Sequence, residues 1–522
     1  MRKSLVIHPF LFAVHPIFFL CSYNVNRIGF VQTLFPSAVS LSATSLLLLL
    51  FKLILKDTQK AGIVVSIFVI LFFTYGHVHN LIEYRQIGTF VIGRHVYMLL
   101  TWSMLLVCSI HVVRKIRGDL GRVTRIMNVV ASILVAIQLV GIALHEFKTN
   151  PWDSVQNPRY AGISTIDLRN RERLPDIYYI ILDRYASLDI LKEFYDFDNR
   201  EFVDYLEGKG FYVAHDSTSN YLKTAHSLAS SLNMTYLDHL QEQIGEESWD
   251  WGPVTKMIQD HEVGRLLKSV GYRYIHFGSW WEDTRLNRHA DINVNIFWQP
   301  EFPMSLYRTT ALYPLATELG VLRIPLLRWM ADERLLQWRR VQYTFEKLAE
   351  IPGMKVPTFV FVHMLVPHKP FVFDRDGTFV PEQEERRRSK KVNYVNQLVF
   401  VNNRVQMLID RLLSSSKVPP VIVLQADEGP YPPGRSTNWH QASKSELRQK
   451  MGILNAYYLP DVNKDELYSS VTPVNTFRLI FNLCLDTDFE LLPDESYIHP
   501  DDHHPYRLIN VTDKLRDTDN KD

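Results

Sequence analysis

The chain has 522 residues, 47% hydrophobic and 22% charged, and its 57 basic side chains against 56 acidic ones leave a net charge of +1. These values exclude collagen-like, disulfide-framework and wholly disordered chains, and the charge leaves no footprint for a nucleic-acid partner. The three cysteines, Cys21, Cys108 and Cys484, lie too far apart for a CxxC zinc site, and an odd count cannot fully pair.

The mean hydropathy of -0.08 averages over two unlike parts. Apolar runs recur at Leu5–Tyr23, Ala38–Leu55, Ala61–Tyr75, Val96–Val113 and Ile126–Leu144. They predict a membrane domain over 1–147 with helices at about 5–23, 38–55, 61–81, 96–113 and 126–144, since roughly 20 apolar residues cross a ~30 Å hydrocarbon core. Pro9 and Pro16 would kink the first helix, which membrane helices tolerate. Arg2, Lys3, Lys52, Lys56, Lys60, Arg114, Lys115, Arg117, Arg122 and Arg125 fall on one side of these runs. Only Arg27, Arg85, Arg94 and Lys148 fall on the other. Basic loops face the cytoplasm, so an odd number of crossings places everything after Glu146 outside the plasma membrane. Residues 148–174, rich in polar residues and proline, read as a juxtamembrane linker, with Trp152 and Tyr160 as candidate headgroup contacts.

From Pro175 strands alternate with helices, and an extracytoplasmic domain over 175–522 is expected. Ile177–Leu182 reads as a buried strand and Phe211–Ala214 as another. A helix with Phe202, Tyr205 and Leu206 on one face lies between them. The pattern continues with helix 224–240, helix 263–270, strand 272–277, helix 341–351, strand 358–363, helix 392–415, strand 421–425, strand 453–458 and helix 474–484. Such alternation implies an α/β fold, with a mostly parallel sheet covered by helices and reactive residues at the carboxyl ends of its strands.

Asp183, Asp427 and Glu428 follow two of these strands. Carboxylates that converge repel one another unless a cation or a proton sits between them, which suggests a divalent metal; the plainer alternative is that each caps the next turn. Thr224 opens a helix rich in Ala, Ser and Leu, where the helix dipole and free amides favour an anion. With a metal on its oxygen it is a candidate nucleophile; otherwise it is an N-cap. Ser219, Ser227, Ser230 and Ser231 are rival hydroxyls. His363 and His368 follow the strand at 358–363 and are candidates to bind an anionic oxygen or protonate a leaving group. His368, between Pro367 and Pro370, is the better placed. The His499-Pro-Asp-Asp-His-His-Pro505 tract looks metal-like but, with no strand before it, reads as a solvated tail.

The strand-Asp183 end, the Thr224 helix start, the His363–Phe371 turn and Gln425-Ala-Asp-Glu-Gly-Pro430 together resemble the alkaline-phosphatase/sulfatase superfamily. Within it the chain is similar to membrane-anchored lipoteichoic acid synthases and phosphoethanolamine transferases. That resemblance implies five membrane helices and an outward-facing sulfatase-like domain. It implies Asp183, Thr224, Asp427 and Glu428 as ligands of one divalent metal, with Thr224 the nucleophile. It makes His368, and then His363, substrate contacts, and sets Trp280 and Trp281 near the substrate pocket. The implied partners are a membrane lipid or lipid-linked donor and a cell-envelope acceptor.

Two departures bear on the chemistry. Where the family has Asp-His-Gly, this chain has Asp427-Glu428-Gly429. An all-oxygen donor set favours Mg²⁺, Mn²⁺ or Ca²⁺ over Zn²⁺. The added negative charge calls for compensation near an anionic substrate, for which Arg184, Lys223, Lys369 and Arg435 are candidates. No Cys or Ser stands in a C/S-x-P-x-R stretch, which disfavours ordinary sulfate-ester hydrolysis. The reading is a phospho-group transferase acting through Thr224. A hydrolase of soluble esters and a non-catalytic surface protein with a decayed site are the alternatives.

Overall fold

The computed structural model describes residues 4–24, 30–82, 86–87, 90–91, 94–148, 174–296, 301–317, 332–434 and 438–516. Trp152, Tyr160, Arg435 and nearly all of the expected linker lie outside them. The chain divides into two compact units, Met1–Gln156 with Gln299–Asp332, and Asn157–Trp298 with Glu333–Asp522.

The first unit contains helices α1 (His8–Tyr23), α2 (Leu34–Leu55), α3 (Thr58–Ile82), α4 (His95–Lys115) and α5 (Gly121–Lys148). Among the described residues four spans, Phe30–Leu55, Thr58–Ile82, His95–Lys115 and Gly121–Leu144, are long and apolar enough to cross a membrane. Helix α1, at 16 residues, is shorter than the expected crossing. Pro9 occupies its first turn, where the missing N–H is tolerated but the helix cannot run further back. Asn128 on α5 caps it from a distance: its Oδ1 accepts from the His8 amide at 2.9 Å, and its Nδ2 donates to the Leu5 carbonyl at 2.7 Å. Leu46, Leu53, Val107 and Ile137 are exposed on the outer faces, as lipid-facing residues would be.

A core of Ala13, Ile17, Cys21, Val65, Val69, Phe73 and Ile142 holds the bundle, and Phe302 and Leu306 belong to the same core. The expected single domain over 175–522 is therefore corrected: the helices Glu301–Thr309 and Leu312–Thr317 return to the helical unit. The apolar side chains of this segment bury against α1 and α3. The Ala311 amide donates to the Phe72 carbonyl at 2.9 Å. Gly76 permits the close approach, since a Cβ there would lie 2.6 Å from the Arg308 carbonyl oxygen.

The second unit is built on a seven-stranded sheet. Its strands are β1 (Ile177–Leu182), β2 (Tyr212–Val213), β3 (Arg273–Phe277), β4 (Ile292–Val294), β5 (Thr358–Met364), β6 (Val421–Gln425) and β7 (Asn455–Tyr458), in spatial order β2-β7-β6-β1-β5-β3-β4. Strand β7 runs antiparallel to both of its neighbours, β2 and β6, and the other pairs described are parallel. Strands β1, β5 and β6 are buried along their whole lengths, which is why they read as continuous apolar runs. On one face, Tyr178, Ile180, Val360 and Val362 pack with Val341, Phe345, Leu398 and Val401 from helices Glu333–Leu348 and Lys390–Ser415. On the other, Tyr179 meets the Phe477 ring edge-on at 4.9 Å and donates to Gln425 Oε1 at 2.7 Å.

The helix expected over 224–240 is α6 (Thr224–Asn233) followed by a separate helix, Asp238–Ile244. Met234 takes a left-handed φ of 54°. Arg478 pays for that turn by donating to its carbonyl from Nε and a terminal nitrogen at 2.9 and 2.7 Å. No glycine marks the stop, so no local signal predicts it.

Candidate active site

The central strands β1, β5 and β6 carry Asp183, His363 and Asp427 to one edge of the sheet. Ile181 pairs in register with His363, and the Asp183 amide continues the ladder to the Met364 carbonyl at 2.9 Å. Asp183, His363 and Asp427 each offer one ligand atom, and these atoms lie within 4.8 Å of one another. All three residues are 2% exposed.

Asp183 Oδ1, His363 Nε2 and Asp427 Oδ2 are buried without a hydrogen-bond partner. His363 Nδ1 meets Thr284 Oγ1 at 2.9 Å, and Thr284 in turn meets Ser279 Oγ at 2.8 Å. That chain fixes the ring with Nε2 3.7 Å from Asp183 Oδ2. A ligating histidine is commonly anchored in this way through its other nitrogen.

The electrostatics favour a cation here. Burial, followed by the charges of Asp183 and Glu428, pushes the Asp427 carboxyl up to about 7. Burial also opposes the Asp183 charge, but His368, His363 and Arg184 outweigh it and hold that carboxyl below its ordinary range. Two carboxylates, one imidazole and three orphaned atoms converging on one point fit a divalent ion. Thr224, the first residue of α6, is half-buried and lies beside Asp427.

Glu428 points elsewhere. Its Oε1 accepts from Lys450 Nζ at 2.7 Å and from Arg184 Nε at 3.0 Å, while Oε2 is buried without a partner. Arg184 has a left-handed φ of 63°, and its carbonyl accepts from the Tyr394 hydroxyl at 2.7 Å. Lys450 is fully buried, donates also to the Gly429 carbonyl at 3.1 Å, and lies 3.8 Å from the centre of the Tyr431 ring. Burial lowers this ammonium to about 8, against the pull of Glu428. Gly429 makes the approach possible, because a Cβ there would sit 2.6 Å from the Gln449 carbonyl oxygen.

The structure thus brings Asp183, Thr224 and Asp427 together, adds His363 to them, and sets Glu428 alongside in an ion pair. Lys223 pairs with Asp502 at 3.0 Å and faces Tyr431. Trp281 lies edge-on to His363 at 5.8 Å, and Trp280 edge-on to His368 at 6.3 Å. Lys369 is exposed. The rival serines are buried and committed to backbone carbonyls: Ser219 and Ser227 to Tyr221, Ser230 to Thr235, and Ser231 to Leu228.

Two features escaped the sequence. Lys450 shares its short helix, Lys444–Met451, with Lys444, and nothing local separates the two. The tract at 499–505 is not a solvated tail, since His499 is fully buried with its ring 5.0 Å from that of His226.

No protein-family model and no curated protein matches the chain. Solved structures similar to it include the C-terminal periplasmic domain of EcEptC from Escherichia coli, at 12% identity over 65% of this chain and 93% of that one, with a TM-score of 0.41. The same domain in complex with Zn covers 66% of this chain and 95% of that one at 12% identity and a TM-score of 0.43. The integral membrane lipooligosaccharide phosphoethanolamine transferase A from Neisseria meningitidis is 12% identical over 92% of this chain and 96% of that one, with a TM-score of 0.39.

Proposed function

We propose that the chain is a membrane-anchored, metal-dependent phospho-group transferase. It takes a headgroup or glycerophosphate-like group from a lipid or lipid-linked donor onto Thr224 and passes it to a cell-envelope acceptor on the outer face of the plasma membrane. The observation that carries this reading is the convergence of three orphaned, buried ligand atoms beside a half-buried hydroxyl at a helix start. Asp183, His363, Asp427 and Thr224 would hold the ion. Bound there, it would polarise a phosphoryl oxygen and ease ionisation of the hydroxyl. With an imidazole nitrogen among the donors, the all-oxygen reason for preferring Mg²⁺, Mn²⁺ or Ca²⁺ over Zn²⁺ loses force, and Mn²⁺ and Zn²⁺ both suit the set.

The chain's own groups then divide the work. Free amides at the start of α6 face the phosphoryl oxygens. Asp427, beside Thr224, takes its proton as the oxygen attacks phosphorus. The bond from phosphorus to the leaving oxygen breaks and that oxygen takes its proton from water; burial lowers His368 to about 4, so it serves as an uncharged contact for the leaving group. Attack by an acceptor hydroxyl on phosphorylated Thr224 completes transfer, and attack by water completes hydrolysis.

The test uses the full chain in detergent, supplied with Mn²⁺ or Zn²⁺ and a nitrophenyl phosphodiester. Thr224→Ala should lower turnover by about a thousandfold or more while leaving the melting temperature within a few degrees of wild type. A phosphoryl adduct on the Thr224 peptide should appear by mass spectrometry under single-turnover conditions. Undiminished turnover in Thr224→Ala would sink the assignment.

A further inference from the structure

The most unusual charge arrangement outside the ligand group is the surroundings of Tyr431. Arg184, Lys223 and Lys450 place their cationic centres 4.5, 5.6 and 3.8 Å from the centre of this one ring. Arg184 and Lys223 are 19% and 23% exposed, whereas Lys450 is fully buried. A buried ammonium is costly to keep and is retained where it is paired. Glu428 pairs with it, but Glu428 also serves Arg184, whose other carboxylate neighbour, Asp183 at 3.8 Å, belongs to the ligand group. Asp502, the partner of Lys223, is more than half exposed, and solvent screens it. With the charges of Asp183 and Asp427 balanced by the ion they would hold, this corner is left positive.

We propose that Arg184 and Lys223, with the charge of the buried Lys450 beside them, form an anion subsite next to the reacting centre, which receives a second oxyanion group on the part of the substrate that Thr224 does not attack. Glu428 is then a positioning residue that holds the ammonium and the guanidinium in place. This rests on the phosphoester reading above for what happens next door, and it narrows the substrate class. The donor or acceptor carries a further carboxylate or phosphate, and a headgroup ending in an ammonium is disfavoured, because it would enter among three like charges.

The probe is a matched set of nitrophenyl phosphodiesters whose second arm ends in a quaternary ammonium, a hydroxyl or a carboxylate, together with their non-hydrolysable phosphonate counterparts. On the full chain with Mn²⁺, kcat/KM should rise in that order, with about tenfold to a hundredfold between the two ends, the range of one or two charge-assisted hydrogen bonds. Phosphonate binding to the Thr224→Ala protein, read by calorimetry, should follow the same order. Lys450→Met should flatten both series, and Lys450→Arg should restore part of the preference. Lys450→Met alone would strand the Glu428 charge, so the double variant Glu428→Gln/Lys450→Met is the control for folding; replacing both partners of a buried pair is often neutral.

The two readings fail differently. If the phosphonates bind in the expected order but no diester turns over, the subsite stands and the transferase reading falls. If the carboxylate arm binds no better than the ammonium arm, or if the double variant keeps the wild-type order, the subsite is overturned.

Discussion

Asp427 and Glu428 are neighbours in sequence with opposite duties. Both lie in the bend that follows β6, beyond the reach of strand alternation. Asp427 turns toward Asp183, and Glu428 faces Lys450. The pair was therefore legible as acidic residues after a strand end, but which carboxylate joins the ligand group depends on the path of that bend. Asp427 also governs the behaviour of the metal-free protein. Its carboxyl is pushed from an ordinary 3.8 up to about 7, so between those values the folded chain holds a proton that the unfolded chain has lost. The Asp427 contribution to the stability of the metal-free protein should therefore fall as pH rises through that window and level off above it. Burial holds His261, His276, His368 and His499 low, and these raise stability over the same range, so the Asp427 effect is read against Asp427→Asn. In chelator, the melting temperature of wild type relative to Asp427→Asn should be lower at about pH 8 than at about pH 5, and a relative melting temperature that climbs between those values would contradict the ligand group.

Among the elements, β1 and β6 have the limits that their apolar runs indicate, because a parallel strand covered on both faces needs no polar residue until it ends. Asp183 and the Asp427 turn follow from those ends. His363 was harder to weigh, since it sits inside β5 and reads equally as a packed histidine. Its role emerges only with Thr284, 79 residues earlier, on Nδ1. Helix α6 shows the reverse case, where a partner on a distant helix, Arg478, ends an element that local propensity would continue. Helix Lys390–Ser415 supports the site in a comparable way. The Tyr394 hydroxyl donates to the Arg184 carbonyl and accepts from the Ala186 amide at 3.2 Å, holding a left-handed turn that arginine does not favour. Tyr394→Phe should cost about 1–3 kcal/mol of stability by leaving buried backbone groups unpaired. It should also reduce kcat more than it alters metal content. Chemical denaturation, metal analysis and steady-state rates on the same preparation separate these effects.

At the scale of the molecule, the division into an apolar part and a polar part was legible from hydropathy, but the return of the chain to the helical unit was not. Phe302 and Leu306 are two apolar residues on a short amphipathic helix, a pattern that a soluble domain would equally bury in its own core. Their partners, Ile17, Val69 and Phe73, lie more than 200 residues away. A fragment beginning at residue 157 would carry these side chains without those partners. It should aggregate when expressed alone, whereas the same fragment with residues 299–332 replaced by a short Gly/Ser linker should remain monodisperse by size-exclusion chromatography. Equal solubility of the two fragments would contradict the assignment of this segment.

The position of β1 in the sheet has a consequence in time. It is the first long strand of the second unit to be made, yet it lies between β5 and β6, whose partners for Ile177 are Phe359 and Val421. An entirely apolar strand thus emerges from synthesis well before either neighbour exists to cover it. Elongation at roughly 5–20 residues per second leaves that edge bare for on the order of ten seconds or more. The nascent chain therefore passes through an interval in which an uncovered apolar strand is also the one around which the reacting centre is later assembled. How fast the second half is made and delivered would then limit the yield of working protein.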